Sequence, residues 1–191
     1  VCDMSSDIFS RKIPVEKFGL IYAGAQKNVG PAGMTLVIVR KDILGKVERA
    51  IPTMLDYRTH IKKQSSFNTP PVFPIYVTML TMEWIISKGG VEQMEKRNDE
   101  KANLLYQEID QNPLFYGTVR QEDRSPMNVT FLMHDESLES SFLEKCSNAG
   151  IVGLAGHRSV GGFRASMYNA LELESTKVLV EVMNAMAHQH A

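Results

Sequence analysis

The sequence predicts an α/β chain in two parts, a strand-bearing first part followed by a small α+β part, and three observations carry that prediction. Two runs read as strands: FGLIYAG at 18–24 is short, apolar and glycine-flanked, and MTLVIV at 34–39 is a continuous β-branched run of the kind buried on both faces. Two helical patterns, at 73–88 and 91–110, meet at Gly89 and Gly90, residues suited to capping one helix and changing direction before the next. Beyond them, short strand patterns alternate with helical ones to the end of the chain. The division is placed between residues 1–89 and 90–191.

Taken in order, VCDMSSD at 1–7 has no initiator methionine and reads as the end of a buried strand followed by a polar turn, so the chain is expected to begin inside a fold. The run 18–24 is the next strand, and 34–39 the one after it. Lys27 then falls on a tight loop joining two core strands. Residues 41–48 suit one or two helical turns. The stretch FNTPP at 67–71 is a stiff loop, because Pro70 pushes Thr69 away from helical geometry and Pro71 removes another backbone donor. Pro74 is tolerated in the first turn of the helix at 73–88, whose Val77, Leu80, Trp84 and Ile85 point to a core. The helix at 91–110 turns Met94, Leu104, Leu105 and Ile109 inward and a charged face to solvent. Strands follow at 116–119 and 128–133, a helix at 137–148, short strands near 151–153 and at 162–167, and a last helix at 175–188.

Composition excludes several function classes. Of 191 residues 43% are hydrophobic and 23% charged, and the formal net charge of −1 comes without a basic run, so nothing points to nucleic acid. No apolar run approaches the roughly 20 residues that cross a bilayer, and no leader-like segment opens the chain, so a soluble cytoplasmic protein is expected. Cys2 and Cys146 form no C-x-x-C pair and fit small buried apolar residues in a reducing compartment. The NVT sequon at 128–130 carries little weight without a secretion signal. His188 and His190 lack a third ligand nearby, and no metal site is expected.

Three places suit chemistry. In YAGAQKNVGPAG at 22–33, a lysine stands among small and turn-forming residues whose glycines would let a flat ligand approach the backbone. A lysine serves as a covalent catalyst where its amine is partly desolvated, since only the neutral amine attacks a carbonyl. An ordinary surface lysine in a turn is the alternative. Asp3 leaves the first strand at its C-terminal end, where open α/β sheets gather ligand groups; the alternative is an Asx cap of the turn that follows. In GHRSVGGFR at 156–164, His157, Arg158 and Arg164 offer donors for carboxylate or phosphate, against a surface hairpin with solvated cations.

The stretches CDMSSD, YAGAQKNVGPAGMTLVIVR, FNTPP and GHRSVGGFRASMYNA closely resemble the phosphoserine aminotransferase family, within class V of the fold type I pyridoxal-phosphate aminotransferases. The resemblance runs along the whole chain but covers only about the C-terminal half of the family's length. It implies that residues 1–89 are the C-terminal part of the large cofactor-binding domain and its sheet, and 90–191 the small C-terminal domain. It implies pyridoxal 5'-phosphate as cofactor, with Lys27 forming the Schiff base and moving the substrate proton, Asp3 paired with the pyridinium nitrogen and Gln26 on the phosphate. Asn68 and Thr69 would reach the phosphate across a homodimer interface. His157 and Arg158 would hold the substrate's distal phosphate or carboxylate, and Arg164 its α-carboxylate.

The family's reaction moves the amino group of L-glutamate to 3-phosphohydroxypyruvate on the route to L-serine, and in many bacteria a related reaction serves pyridoxine synthesis. The family's N-terminal half supplies the rest of the cofactor-phosphate loop, a stacking aromatic residue and further arginines. Without it, strands near Lys27 are expected to show unpaired edges and exposed apolar surface. Two other readings compete. One is a folded fragment without activity of its own. The other is a different class V enzyme, such as a serine–glyoxylate transaminase or a cysteine desulfurase, although neither cysteine stands where a mobile nucleophile belongs.

Overall fold

A computed structural model describes residues 1–190, which divide into two compact units, 1–91 and 92–190. The first holds a three-stranded sheet: β1 (Cys2–Asp3) runs parallel to β2 (Leu20–Gly24), and β2 pairs antiparallel with β3 (Thr35–Val39). The register sets Asp3 opposite Tyr22 and Gly24 opposite Thr35. Met4, Ile8, Ile21, Ala23, Ala25 and Val29 form the buried core of this unit.

The strands match their expected positions, but burial on both faces does not hold for β3. None of its residues is fully buried, because β3 is an edge strand with no neighbour beyond it. The expected turns at 41–48 shrink to a single 3-10 turn, Lys41–Ile43, and a short helix α1 (Tyr57–Lys62) follows later. Asp56 starts α1 by accepting a hydrogen bond from the Arg58 amide.

After the Pro70–Pro71 break comes α2 (Val72–Ser87). Of the four residues expected to anchor it, Ile85 is buried, Val77 and Trp84 are half-buried, and Leu80 is exposed. Phe73 is 70% and Ile86 73% exposed, so an apolar helix shows most of its surface. Gly89 and Gly90 both take positive φ, 96° and 76°, which stops α2 and starts α3 (Gly90–Gln111).

The second unit packs α3, α4 (Glu139–Asn148) and α5 (Leu173–His190) with an antiparallel sheet in the order β4 (Phe115–Gly117), β5 (Asn128–Met133), β6 (Phe163–Ser166). Strict alternation of buried and half-buried residues along β5 is what made this strand readable. Phe115, Phe131, Phe142 and Phe163 meet at its centre, with Phe142 and Phe163 edge to face at 5.0 Å. Burying each such ring is worth roughly 1.5–3 kcal/mol.

The expected strand near 151–153 does not form. Gly150 and Gly153 both take positive φ and turn the chain, and only Ala155 makes a bridge, to Phe163. The charged face of α3 is not wholly solvated either. Lys101 is 1% exposed, and Asn98 is equally buried.

Candidate functional site

Lys27 owes its position to a compact turn wound about one carbonyl. The oxygen of Ala25 accepts hydrogen bonds from the amides of Lys27, Val29 and Gly30, at 2.7, 3.1 and 2.8 Å. Ala25 and Val29 are wholly buried beneath this turn. Asn28 fastens it to the segment after β1, its side-chain amide donating to the carbonyls of Ser6, at 2.9 Å, and Ile8, at 3.2 Å. Lys27 itself is exposed, and its amine donates to the Ser6 hydroxyl at 2.8 Å.

The loop's glycines do something other than open the backbone to a ligand. A Cβ on Gly30 would stand 2.9 Å from the Thr78 hydroxyl of α2, and Gly33, at φ 118°, lies against Pro74. They let the loop close on α2. Lys27 itself stays exposed, so the partial desolvation expected of its amine is not supplied by the described residues.

Asp3 ends β1 and is exposed. Its Oδ1 accepts from the Ser5 hydroxyl, at 2.6 Å, and from the Ser5 amide, at 2.8 Å. These bonds, ahead of smaller contributions from the Tyr22 hydroxyl and the Lys27 charge, hold the carboxyl below the usual aspartate range. The same contact raises the Tyr22 phenol, whose ionisation beside a carboxylate is disfavoured. The Asx turn expected as the plain alternative is therefore present, and it leaves an ionised, exposed carboxylate at the strand end. Gln26 lies exposed next to Lys27, its side chain against Gly24. Asn68 and Thr69 are exposed in the loop before α2, with the Asn68 amide donating to the Thr69 carbonyl.

Tyr22, Ser5 and Ser6 carried no role in the sequence reading. The strand register brings Tyr22 opposite Asp3, and the turn after β1 brings Ser6 under Lys27. Pairing of distant segments, rather than any local motif, places them.

In the second unit, residues 156–162 close into a loop where chain touches chain. The Gly156 amide donates to the Gly162 carbonyl at 2.7 Å, and a Cβ on Gly156 would collide with the backbone of Gly161. His157 and Arg158 sit exposed on this loop, with His157 Nδ1 2.8 Å from the Ser159 hydroxyl. Arg164 is exposed on β6, opposite Thr130. Neither Arg158 nor Arg164 has an ion-pair partner among the described residues. A cavity of about 330 Å³ lies along β6, with Arg164, Ser166 and Ser175 among the residues of its wall.

No group of three His, Cys, Asp or Glu side chains able to hold a metal occurs among the described residues, and no helix there is long and apolar enough to cross a membrane. Cys146 is buried in the core, which pushes its thiol up to about 11, and Cys2 is half-buried.

Comparison with known proteins supplies an independent line. The family described as "Aminotransferase class-V" matches residues 1–179. The phosphoserine aminotransferase of Flavobacterium psychrophilum is 61% identical over 189 residues, covering 99% of this chain and 53% of that protein. Among solved structures, phosphoserine aminotransferase from Bacillus circulans subsp. alkalophilus superposes with a TM-score of 0.94 at 47% identity, over 99% of this chain and 53% of that one. The PLP-bound phosphoserine aminotransferase of Trichomonas vaginalis gives 0.90 at 43% identity, over 95% of this chain and 52% of that one. The chain thus spans about half the length of the curated relatives it matches.

Proposed function

The chain belongs to the class-V aminotransferases, and from that premise we propose that it is the C-terminal part of a phosphoserine aminotransferase. The whole protein would be cytoplasmic and transfer the amino group of L-glutamate to 3-phosphohydroxypyruvate. In this reading residues 1–89 complete the large domain, 90–191 form the small domain, and the site is shared across a homodimer with the N-terminal half of the same protein. The observation that carries it is one juxtaposition: an exposed amine, Lys27, hydrogen-bonded to Ser6 in the turn that follows β1, and an ionised carboxylate, Asp3, that ends β1 at the C-terminal end of a parallel strand pair.

That donor set fits pyridoxal phosphate. When bound, the cofactor supplies an aldehyde carbon open to an amine and a ring that withdraws electrons when its nitrogen is protonated. Lys27 Nζ would be the attaching amine, reachable because Lys27 is exposed. The same Nζ would move the proton at the substrate α-carbon. Asp3 would hold a proton on the ring nitrogen. Its bonds from Ser5 and Tyr22 keep it charged, which is the state such a partner needs. Gln26 offers its amide to the phosphate, and Asn68 and Thr69 would reach the partner protomer's phosphate.

Arg164 and the His157–Arg158 pair act on the substrate. Arg164 presents a planar fork matched to the α-carboxylate, while the loop cations hold the distal phosphate or carboxylate. With no ion pair to break, neither arginine loses a partner when an anion binds.

The test is borohydride reduction of the full protein after addition of pyridoxal phosphate, with peptide mapping, alongside a transamination assay with the two named substrates. An adduct on Lys27 and turnover of both substrates are expected. Reduction that leaves Lys27 unmodified, or an active protein that ignores 3-phosphohydroxypyruvate, would overturn the assignment.

A further inference from the structure

Lys101 is a buried lysine to which the proposed reaction gives no task. It stands on α3 with 1% of its surface exposed, and its ammonium donates to two consecutive carbonyls, Met167 at 3.1 Å and Tyr168 at 2.9 Å. Burying an ammonium is costly, and an apolar side chain of similar length would fill the same volume without that cost. The donors, then, are what the position uses.

Their geometry says what for. In an extended strand consecutive carbonyls point to opposite sides. One nitrogen can reach both only where the chain has turned. Lys101 therefore marks the point where β6 stops, one residue after Ser166, and swings toward α5.

Neighbouring contacts act on the same short segment. Asn98, one turn earlier on α3, donates to the Asn169 side chain at 2.8 Å, and Arg97 pairs with Glu172 at 2.7 Å. From the other side, the Tyr168 hydroxyl donates to Asn128 of β5 at 3.1 Å. Residues 167–172 are thus gripped by α3 below and by β5 above. Arg164 lies just upstream on β6, its side chain on the exposed face by simple alternation between buried Phe163 and Ala165.

We propose that Lys101 is a positioning residue: by fixing the turn after β6 it sets the twist of that strand and so the direction in which Arg164 offers its guanidinium to a substrate carboxylate. The inference rests on the assignment of Arg164 made above, and it concerns a residue that touches neither substrate nor cofactor.

The experiment compares Lys101→Met with Leu105→Ala in the full, cofactor-loaded protein. Leu105→Ala opens a cavity one turn along the same helix and serves as the control for simple loss of stability. For Lys101→Met the KM for glutamate is expected to rise about tenfold while kcat changes less than about threefold; for Leu105→Ala the KM stays within about twofold. Hydrogen exchange gives a readout independent of turnover. The Arg164 amide, which donates to the Leu154 carbonyl at 2.8 Å, should exchange faster in Lys101→Met while amides at the centre of β5 do not.

An unchanged KM together with unchanged exchange at Arg164 overturns the proposal, as does an equal rise in KM in both variants. Should Lys101→Met not fold, Lys101→Gln keeps an uncharged NH2 donor group, and a rise in KM supports the proposal where none overturns it. A wild-type protein without any transaminase activity would sink the functional assignment instead, and the exchange measurement would still decide whether Lys101 governs β6.

Discussion

The amine of Lys27 and the hydroxyl of Ser6 lie 2.8 Å apart, and this is the one hydrogen bond the lysine side chain makes among the described residues. An exposed side chain with a single hydrogen bond, to a half-buried serine, contributes little to folding. Lys27→Ala is therefore expected to shift the unfolding free energy by no more than about 0.5 kcal/mol. In the same variant transamination by the full protein should fall on the order of 10²–10⁴-fold, the scale of a lost proton-transfer group. Urea melts and a coupled assay measure the two separately. A stable variant with undiminished turnover would return Lys27 to the status of an ordinary turn lysine.

Asp3 separates turn-making from charge. Asp3→Asn keeps an oxygen for the Ser5 amide and hydroxyl, so the turn should survive, but the negative charge is gone. Activity is expected to fall on the order of 10²-fold. The acid limb should change too. The folded-state carboxyl is held below its unfolded value, so its contribution is present above about pH 4 and is lost as pH falls through the lower folded value. Acid-unfolding curves of the two proteins should therefore differ above that region and converge below it.

How much of this was legible in the sequence depended on whether the cause was local. Alternation along 128–133 and the glycine pair at 89–90 are local, and the elements there came out as expected. The segment 151–153 failed because its apolar residues read as a strand while the flanking Gly150 and Gly153 turn the chain. Lys101 was hidden for a deeper reason. In a run of charged residues on a helix a lysine reads as solvated, and only the return of residues 167–168 from far along the chain gives its ammonium two carbonyls. Of the candidate residues, Lys27, Asp3 and the arginines sit in recognisable motifs. Tyr22 and Ser6 lie in the same motifs, but their partners do not show there: the pairing of β1 with β2 sets Tyr22 opposite Asp3, and the turn after β1 brings Ser6 to Lys27.

The two cysteines should differ sharply in reactivity. Cys146 is in the core with its thiol raised to about 11 by burial, whereas Cys2 is half-buried at the start of β1. Iodoacetamide on the folded protein at neutral pH is expected to modify Cys2 alone, with Cys146 reacting only after denaturation. Mass mapping reads this directly. Fast labelling of Cys146 would reopen the desulfurase reading.

Gly156 tests the loop proposed to hold the substrate's distal anion. A methyl group there would meet the Gly161 carbonyl, so Gly156→Ala must pry the loop open, at a cost of about 1–3 kcal/mol. Gly161 has nothing nearby but takes φ of 76°, so Gly161→Ala should cost only the strain of that conformation, about 1–2 kcal/mol. The two differ in their effect on binding. Gly156→Ala should displace His157 and Arg158 and weaken binding of a phosphorylated substrate, whereas Gly161→Ala should not. Equal losses of phosphate affinity in both would show that the loop's closure is irrelevant to the anion.

Lys101 leaves a mark on stability at alkaline pH. Burial first, then the nearby Arg97 charge, lowers its amine from the usual 10.5 to about 8, with Glu172 opposing. Between those values the unfolded chain binds the proton that the folded chain has given up, so stability rises with pH across the window. A shift of this size is worth up to about 3 kcal/mol, reached near pH 10.5 and absent below pH 8. Other groups also titrate there, so the informative quantity is the difference between the wild type and Lys101→Met. Urea unfolding at pH 7.5 and pH 10 should show the wild type gaining on the variant as pH rises. If the wild type instead loses ground, the ammonium form is the one that holds the turn after β6 together, and the carbonyl contacts outweigh the burial of the charge.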